Sequence, residues 1–178
     1  ADLLESFYRL QEDPERAAVL ACFAEVADTF AREQQEDEAF FRLLHAVLRA
    51  VRDGLDLDRA ARYFEIWTLR LHGVLPSLTE CARCGEGLPA SGAYYDRRES
   101  GVACGRCRGA RRAGDVALNG AARRAAQQRL RWRPEDLRDA PWTAAALRPL
   151  GAVAEAIFFD LTERRFKSYE VLRSLRGG

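Results

Sequence analysis

The chain has 178 residues, of which 48% are hydrophobic, with 28 basic and 27 acidic side chains. That length supports one good core plus a small satellite, and a net charge of +1 excludes a polycation that meets nucleic acid over its whole surface. No apolar run approaches the roughly eighteen residues of a membrane span. The chain contains no methionine and begins at Ala1, which marks it as an expected segment of a longer product.

Residues 1–12 carry Leu3, Leu4, Phe7, Tyr8 and Leu10, compatible with a connecting strand or a short helix. Asp13-Pro14-Glu15 is a helix start: Asp accepts from free amides, Pro occupies the first turn, and Glu complements the dipole. Val19, Leu20, Phe23, Val26, Ala27 and Phe30 follow at helical spacing, with Cys22 among them as a buried, inert thiol. After the polar residues 32–38, Phe40, Phe41, Leu43, Leu44, Val47, Leu48 and Val51 give a second amphipathic helix that Gly54 stops. A third runs from Asp58 through Phe64, Ile66, Trp67 and Leu69 to Gly73, and Pro76 forbids its continuation. Its aromatic residues share a face with Leu and Ile, so they read as core. His45 and His72 occupy ordinary structural positions on these helices.

Two Cys-x-x-Cys knuckles come next, Cys81-Ala82-Arg83-Cys84 and Cys104-Gly105-Arg106-Cys107, nineteen residues apart. This spacing is the signature of a structural tetrathiolate zinc site. Gly85 and Gly105 are each expected to supply a positive backbone dihedral. Four thiolates leave no open coordination position, so the expected Zn2+ is structural. A pair of disulfides suits secreted chains, and no stretch reads as a signal peptide; the expected setting is reducing and cytoplasmic. A redox pair calls for a βαβ pattern, whereas residues 93–96 and 101–103 read as a small β-hairpin between the knuckles.

Asn119 reads as the N-cap of an Ala-rich helix over residues 120–132. Pro134 and Pro141 mark turns. A last long helix starts near Thr143, with Pro149 near its first turns or kinking it, and Ser168 is the expected cap of a short final helix. The expected fold is mainly α: a helical bundle with an inserted small four-cysteine, zinc-ribbon-like β-hairpin module. The expected division is a linker at 1–12, a helical domain from 13–76 and 115–178, and the zinc module at 77–114.

Lys167 is the only lysine, and eleven arginines face three acids between Asp96 and Arg133, giving that segment +8. Such asymmetry favours a polyanionic partner. Arg97, Arg98, Arg106, Arg108, Arg111 and Arg112 lie on or just after the hairpin, as candidate contacts to DNA phosphates. The same patch suits an acidic protein tail, and the sequence leaves both uses open. No nucleophile elbow, phosphate-binding loop or dinucleotide glycine pattern occurs, and no His-x-Glu accompanies the cysteines as in zinc deaminases. An enzyme is not expected.

Residues 62–76 (RYFEIWTLRLHGVLP), followed closely by the first knuckle, resemble the helical and zinc-bearing part of the bacterial recombination mediator family RecO. Residues 38–51 (EAFFRLLHAVLRAV) and Phe166-Lys167-Ser168 with Leu172 resemble the same family in order. Residues 1–10 look like the linker leaving the family's N-terminal OB-fold, a domain this sequence lacks. The resemblance implies a non-enzymatic DNA repair and recombination factor, cytoplasmic and nucleoid-associated. Its implied partners are single- and double-stranded DNA, bound weakly without the OB-fold, RecR, and the acidic C-terminal tail of single-strand binding protein, in support of strand annealing and RecA loading. The rival reading is a zinc-stapled scaffold for protein partners with no direct DNA contact.

Overall fold

Three aspartates start the first three helices. In the computed structural model, which describes residues 6–31, 37–108, 114–129 and 142–177, Asp13 accepts from the Arg16 amide at 2.8 Å, Asp37 from Phe40 at 2.9 Å and Asp56 from Arg59 at 3.0 Å. They open α1 (Pro14–Phe30), α2 (Glu38–Arg52) and α3 (Leu57–Leu71). The third helix thus begins just before Asp58, because the free side chain of Asp56 reaches its first-turn amide. Left-handed Gly54 and Gly73 follow α2 and α3, and the Leu55 and Val74 amides bond back to Ala50 and Leu69, the glycine-terminated ending the pattern predicts. The opening stretch is a 3-10 helix, Tyr8–Glu12.

α1 packs on α3 and on α7 (Lys167–Leu175), and α2 on α3. α6 (Ala144–Thr162) lies against both α3 and α5 (Gly120–Arg129). Val19, Phe23, Val26, Phe64, Leu69, Leu150 and Phe158 are almost completely buried between them, each contributing about 1.5–3 kcal/mol through removal from water. Phe23 and Phe64 approach to 4.7 Å between ring centres, and Phe30 and Phe158 to 5.5 Å.

One charged group sits inside this core. Glu65 accepts from Arg62 at 2.7 Å and from the Tyr169 hydroxyl at 2.8 Å, while its other oxygen, Oε2, has no protein partner. Burial therefore pushes its carboxyl up, to about 7, against the opposing pull of Arg62 and Tyr169. Arg62 reaches this position because residue 151 is glycine: a Cβ there would lie 1.3 Å from an Arg62 nitrogen.

Two helix ends are completed by distant residues. α7 begins after Phe166 with no cap of its own; the Glu25 carboxylate of α1 accepts from the Lys167 amide at 3.2 Å, the Ser168 amide at 2.9 Å and the Ser168 hydroxyl at 2.6 Å. Ser168 is therefore a donor inside the helix and not its cap. Pro149 lies within α6 and has no N–H to give the Ala145 carbonyl one turn earlier. The Asn119 side-chain amide donates to that carbonyl at 2.9 Å, and its oxygen accepts from the Ala122 amide at 2.8 Å. Asn119 caps α5 as expected and also repairs the gap in α6.

The sheet has strand order β2-β1-β3, with β1 Gly92–Asp96, β2 Gly101–Ala103 and β3 Val116–Asn119. β1 and β2 form the expected antiparallel hairpin, with Tyr95 opposite Val102. β3, which the sequence pattern did not signal, pairs antiparallel with the other edge of β1, placing Tyr95 opposite Val116, and rests on α6. The expected turns at Pro134 and Pro141 fall outside the described residues. No described helix is long and apolar enough to cross a membrane.

Candidate metal centre

The sulfur atoms of Cys81, Cys84, Cys104 and Cys107 all lie within 4.8 Å of one another, and all five cysteines of the chain are free thiols. A tetrahedral ion with four thiolates at about 2.3 Å sets its sulfurs about 3.8 Å apart. The cluster is close to that spacing, so these residues can hold a metal ion.

Local backbone bonding explains how the two knuckles face each other. In the first, the Cys81 amide donates to Glu86 at 2.8 Å and the Gly85 amide returns to the Cys81 carbonyl at 2.9 Å, a turn that places Gly85 at φ 73°. The second is a single helical turn, α4 (Gly105–Arg108), in which the Arg108 amide donates to the Cys104 carbonyl at 3.0 Å. Gly105 is consequently not among the glycines with a positive φ, which corrects the expectation for that residue. Backbone amides draw the two knuckles together: the Ala82 amide donates to Val102 of β2 at 2.9 Å, just before the second knuckle, and the Cys104 amide donates to the Cys81 sulfur at 3.3 Å. Gly101 is needed where they meet, since a Cβ there would stand 2.6 Å from the Ala82 methyl.

The electrostatics suit a cation. Burial pushes the Cys81 thiol up, but the amides of Cys104, Cys84 and Arg83, all directed at its sulfur, outweigh this and bring it down to about 6. The Cys107 amide, as the main influence, lowers Cys104. Cys107 is instead raised to about 12, first through its hydrogen bonds with Cys84 and Cys104. Amides directed at Cys81 and Cys104 thus favour the anionic form of these two sulfurs, the form that binds a metal ion. A bound divalent cation would be the largest local charge at this cluster and would favour the thiolate form of its ligands.

The six candidate DNA contacts separate into three groups. Arg97 pairs with Asp160 of α6, its Nε donating at 2.7 Å, and its guanidinium lies 4.9 Å from the Phe159 ring centre. Arg108 donates to Asp115 at 2.8 Å and covers Tyr94 at 3.7 Å. Both are tied into the fold. Arg98 and Arg106 are exposed, whereas Arg111 and Arg112 lie outside the described residues. Two arginines outside the candidate set hold the module together. Arg83 pairs with Asp96 and donates to the Cys107 carbonyl at 3.2 Å, linking one knuckle to the other. Arg123, counted in the positive segment, is buried and donates to the carbonyls of Leu78 at 3.1 Å and Pro89 at 2.7 Å. Composition shows charge at these positions but not the partners that absorb it.

A family model described as Recombination protein O C terminal matches residues 11–170. The chain belongs to that family. The resemblance to RecO carried by residues 62–76 and the first knuckle is thereby borne out. A protein called DNA repair protein RecO from an Exiguobacterium species is 31% identical over 106 residues, covering 60% of this chain and 42% of the relative. Its namesake in Dehalococcoides mccartyi is 31% identical over 116 residues, covering 65% and 46%. One from an Anaeromyxobacter species is 34% identical over 105 residues, covering 59% and 41%. The matched stretch spans less than half of each of these RecO relatives.

Proposed function

We propose that this chain is the helical and zinc-bearing part of a RecO-type DNA repair and homologous recombination mediator, acting by binding and without catalysis. The four-sulfur cluster, set within a chain that matches the family over residues 11–170, carries this reading. Zn2+ is the ion proposed for Cys81, Cys84, Cys104 and Cys107: four thiolates fill a tetrahedral shell and favour zinc over the oxygen-seeking cations. When bound, it offsets half of the thiolate charge and fixes the knuckles; the chain's own Arg83 and Cys104 amide hold the two halves in register. The zinc module is proposed to occupy residues 77–114, inserted between helical segments 13–76 and 115–178, with residues 1–12 as a linker from an OB-fold.

Single- and double-stranded DNA, RecR and the acidic tail of single-strand binding protein are the proposed partners, in support of annealing and RecA loading in the bacterial cytoplasm near the nucleoid. Exposed Arg98 and Arg106, with Arg111 and Arg112, are the proposed phosphate contacts. Arg97 and Arg108 have a supporting role in this scheme. Phosphate contacts of this kind lose affinity steeply with salt through counterion release.

Metal analysis of the purified chain is expected to give one zinc per chain, and electrophoretic shift of single- and double-stranded oligonucleotides is expected to show weak binding that disappears as salt rises. A zinc-free, folded chain overturns the metal assignment. The scaffold reading draws support from the internal ion pairs of Arg97 and Arg108: binding of RecR with no DNA binding even at low salt favours that alternative.

A further inference from the structure

Arginines from three separate elements meet where the sheet joins the helical body. Arg97 follows β1, Arg164 and Arg165 follow α6, and Arg173 lies on α7; they line a cleft of about 180 Å3 around Phe159. The guanidinium groups of Arg97 and Arg165 lie 4.9 and 5.7 Å from the Phe159 ring centre. Like charges gathered in so small a space repel unless countercharges reach them. Asp160 meets Arg97 and Glu155 meets Arg173 at 2.6 Å. Among the described residues no ion pair meets Arg164 or Arg165, both exposed. Glu25 acts on Arg164 only at a distance, its oxygens already engaged by the amides and hydroxyl at the start of α7.

The backbone delivers this arrangement at some cost. Glu163 ends α6 in the left-handed region, at φ 54°, an unfavourable conformation for a side chain other than glycine, on the order of 1 kcal/mol. That turn brings residues 164–166 back along the cleft beside α7.

We propose that this cleft seats a phosphodiester group of a nucleic-acid strand, with Arg164 and Arg165 as the contacting cations and Arg97 and Arg173 as its fixed walls. The inference rests on the DNA-binding reading above and adds a phosphate seat at the junction of the hairpin with the helical body. Planar guanidinium forks match phosphate oxygens. The Phe159 floor is overlain by guanidinium groups, which favours a small anionic group over the apolar side chains of a docked protein segment.

The test is fluorescence anisotropy of an oligothymidylate with the chain across a salt series, comparing the unaltered protein with Arg164→Ala/Arg165→Ala and with Arg98→Ala/Arg106→Ala; unchanged thermal melting certifies folding. Loss of charge-assisted bonds at the cleft is expected to weaken binding roughly tenfold or more at low salt. The slope of log affinity against log salt is expected to flatten by about 0.7 for each phosphate released. Unchanged affinity and slope in the Arg164/Arg165 variant, with loss in the Arg98/Arg106 variant, overturns the cleft and leaves the DNA-binding reading standing. No binding by any version overturns both. Retained oligonucleotide binding with loss of an Asp-rich peptide makes the cleft a protein-docking site and overturns the proposal.

Discussion

The helical body and the sheet module reach order by different means. In the body, interlocked aromatic and aliphatic side chains from α1, α2, α3 and α6 bury one another, and the energetic burden falls on area removed from water. In the module, three strands of five, three and four residues bury only a few large side chains, notably Tyr95, Val102 and Leu118. So small a sheet is marginal by itself. Its order rests on particular polar ties: Arg83 across the knuckles, Arg97 to Asp160, Arg123 to the loop carbonyls, Asn119 to α6, and the proposed ion. Apolar packing spreads a defect over many contacts, whereas polar ties concentrate it on a few atoms.

Metal removal is expected to divide the two regions most sharply. Apparent binding free energies of structural zinc are about 10–16 kcal/mol in small zinc modules, far more than this sheet's own burial supplies. After chelation, hydrogen exchange should show the amides of Tyr94, Tyr95 and Val102 losing protection while those of α1 and α3 keep most of theirs. Sheet amides that stay protected without metal would show that the polar ties alone suffice, and the contrast between module and body would fail.

Gly120 tests the seam between the regions. A Cβ at this position would lie 1.8 Å from the Ala90 carbonyl oxygen, a backbone atom with little room to retreat. Alanine gains about 1 kcal/mol of helix propensity over glycine, but relieving such overlap costs about 1–3 kcal/mol or more. Gly120→Ala is therefore expected to lower the urea midpoint. Gly105→Ala, in a helical turn with nothing within 4 Å of its Cβ, is expected to leave it nearly unchanged.

The same division governs what the sequence reveals. Helices of the body announce themselves because both their caps and their apolar faces are local: Asp13 and Asp37 bond three residues on, and Val19, Phe23 and Val26 recur at helical spacing. The cysteine knuckles are legible for a similar reason, since two intervening residues fix the geometry of each pair. What escapes is contact across long stretches of chain. The Glu25 carboxylate that caps α7 stands more than a hundred residues before it, so Ser168 reads as the cap when only its neighbours are considered. Asp160, which holds Arg97, belongs to a different helix, and Arg123 is buried by loop carbonyls that no charge count detects. β3 has a single fully buried residue, Leu118, in four positions, too few for alternation to show.

The pH response should belong to the body. Burial raises Glu65 from the ordinary 4.5 to about 7, so between those values the folded protein retains a proton that the unfolded chain has released. Its contribution to stability is fully present below about pH 4.5 and is lost as pH rises through about 7. Each tenfold weakening of ionisation corresponds to about 1.4 kcal/mol. Urea midpoints are expected to fall from pH 5 to pH 8, and Glu65→Gln is expected to remove most of that slope even where it lowers stability overall. A slope unaltered by the substitution would assign the response to another group.

Asn119→Ala should produce a smaller effect, spread over both regions. The side chain is exposed, so each freed group regains water and only the net value of each bond is lost. A missing N-cap costs about 1 kcal/mol, and the second bond, to the carbonyl that Pro149 leaves unserved, adds about 0.5–1.5 kcal/mol. Asn119→Asp separates the two: its carboxylate still accepts from the Ala122 amide but has no N–H for Ala145. If aspartate restores only the α5 share, Pro149→Ala in the aspartate background should recover the remainder, because alanine returns the amide that α6 lacks. Failure of that rescue would mean that Asn119 serves α5 alone and that the Ala145 carbonyl is satisfied by water, leaving one tie fewer between the module and the body.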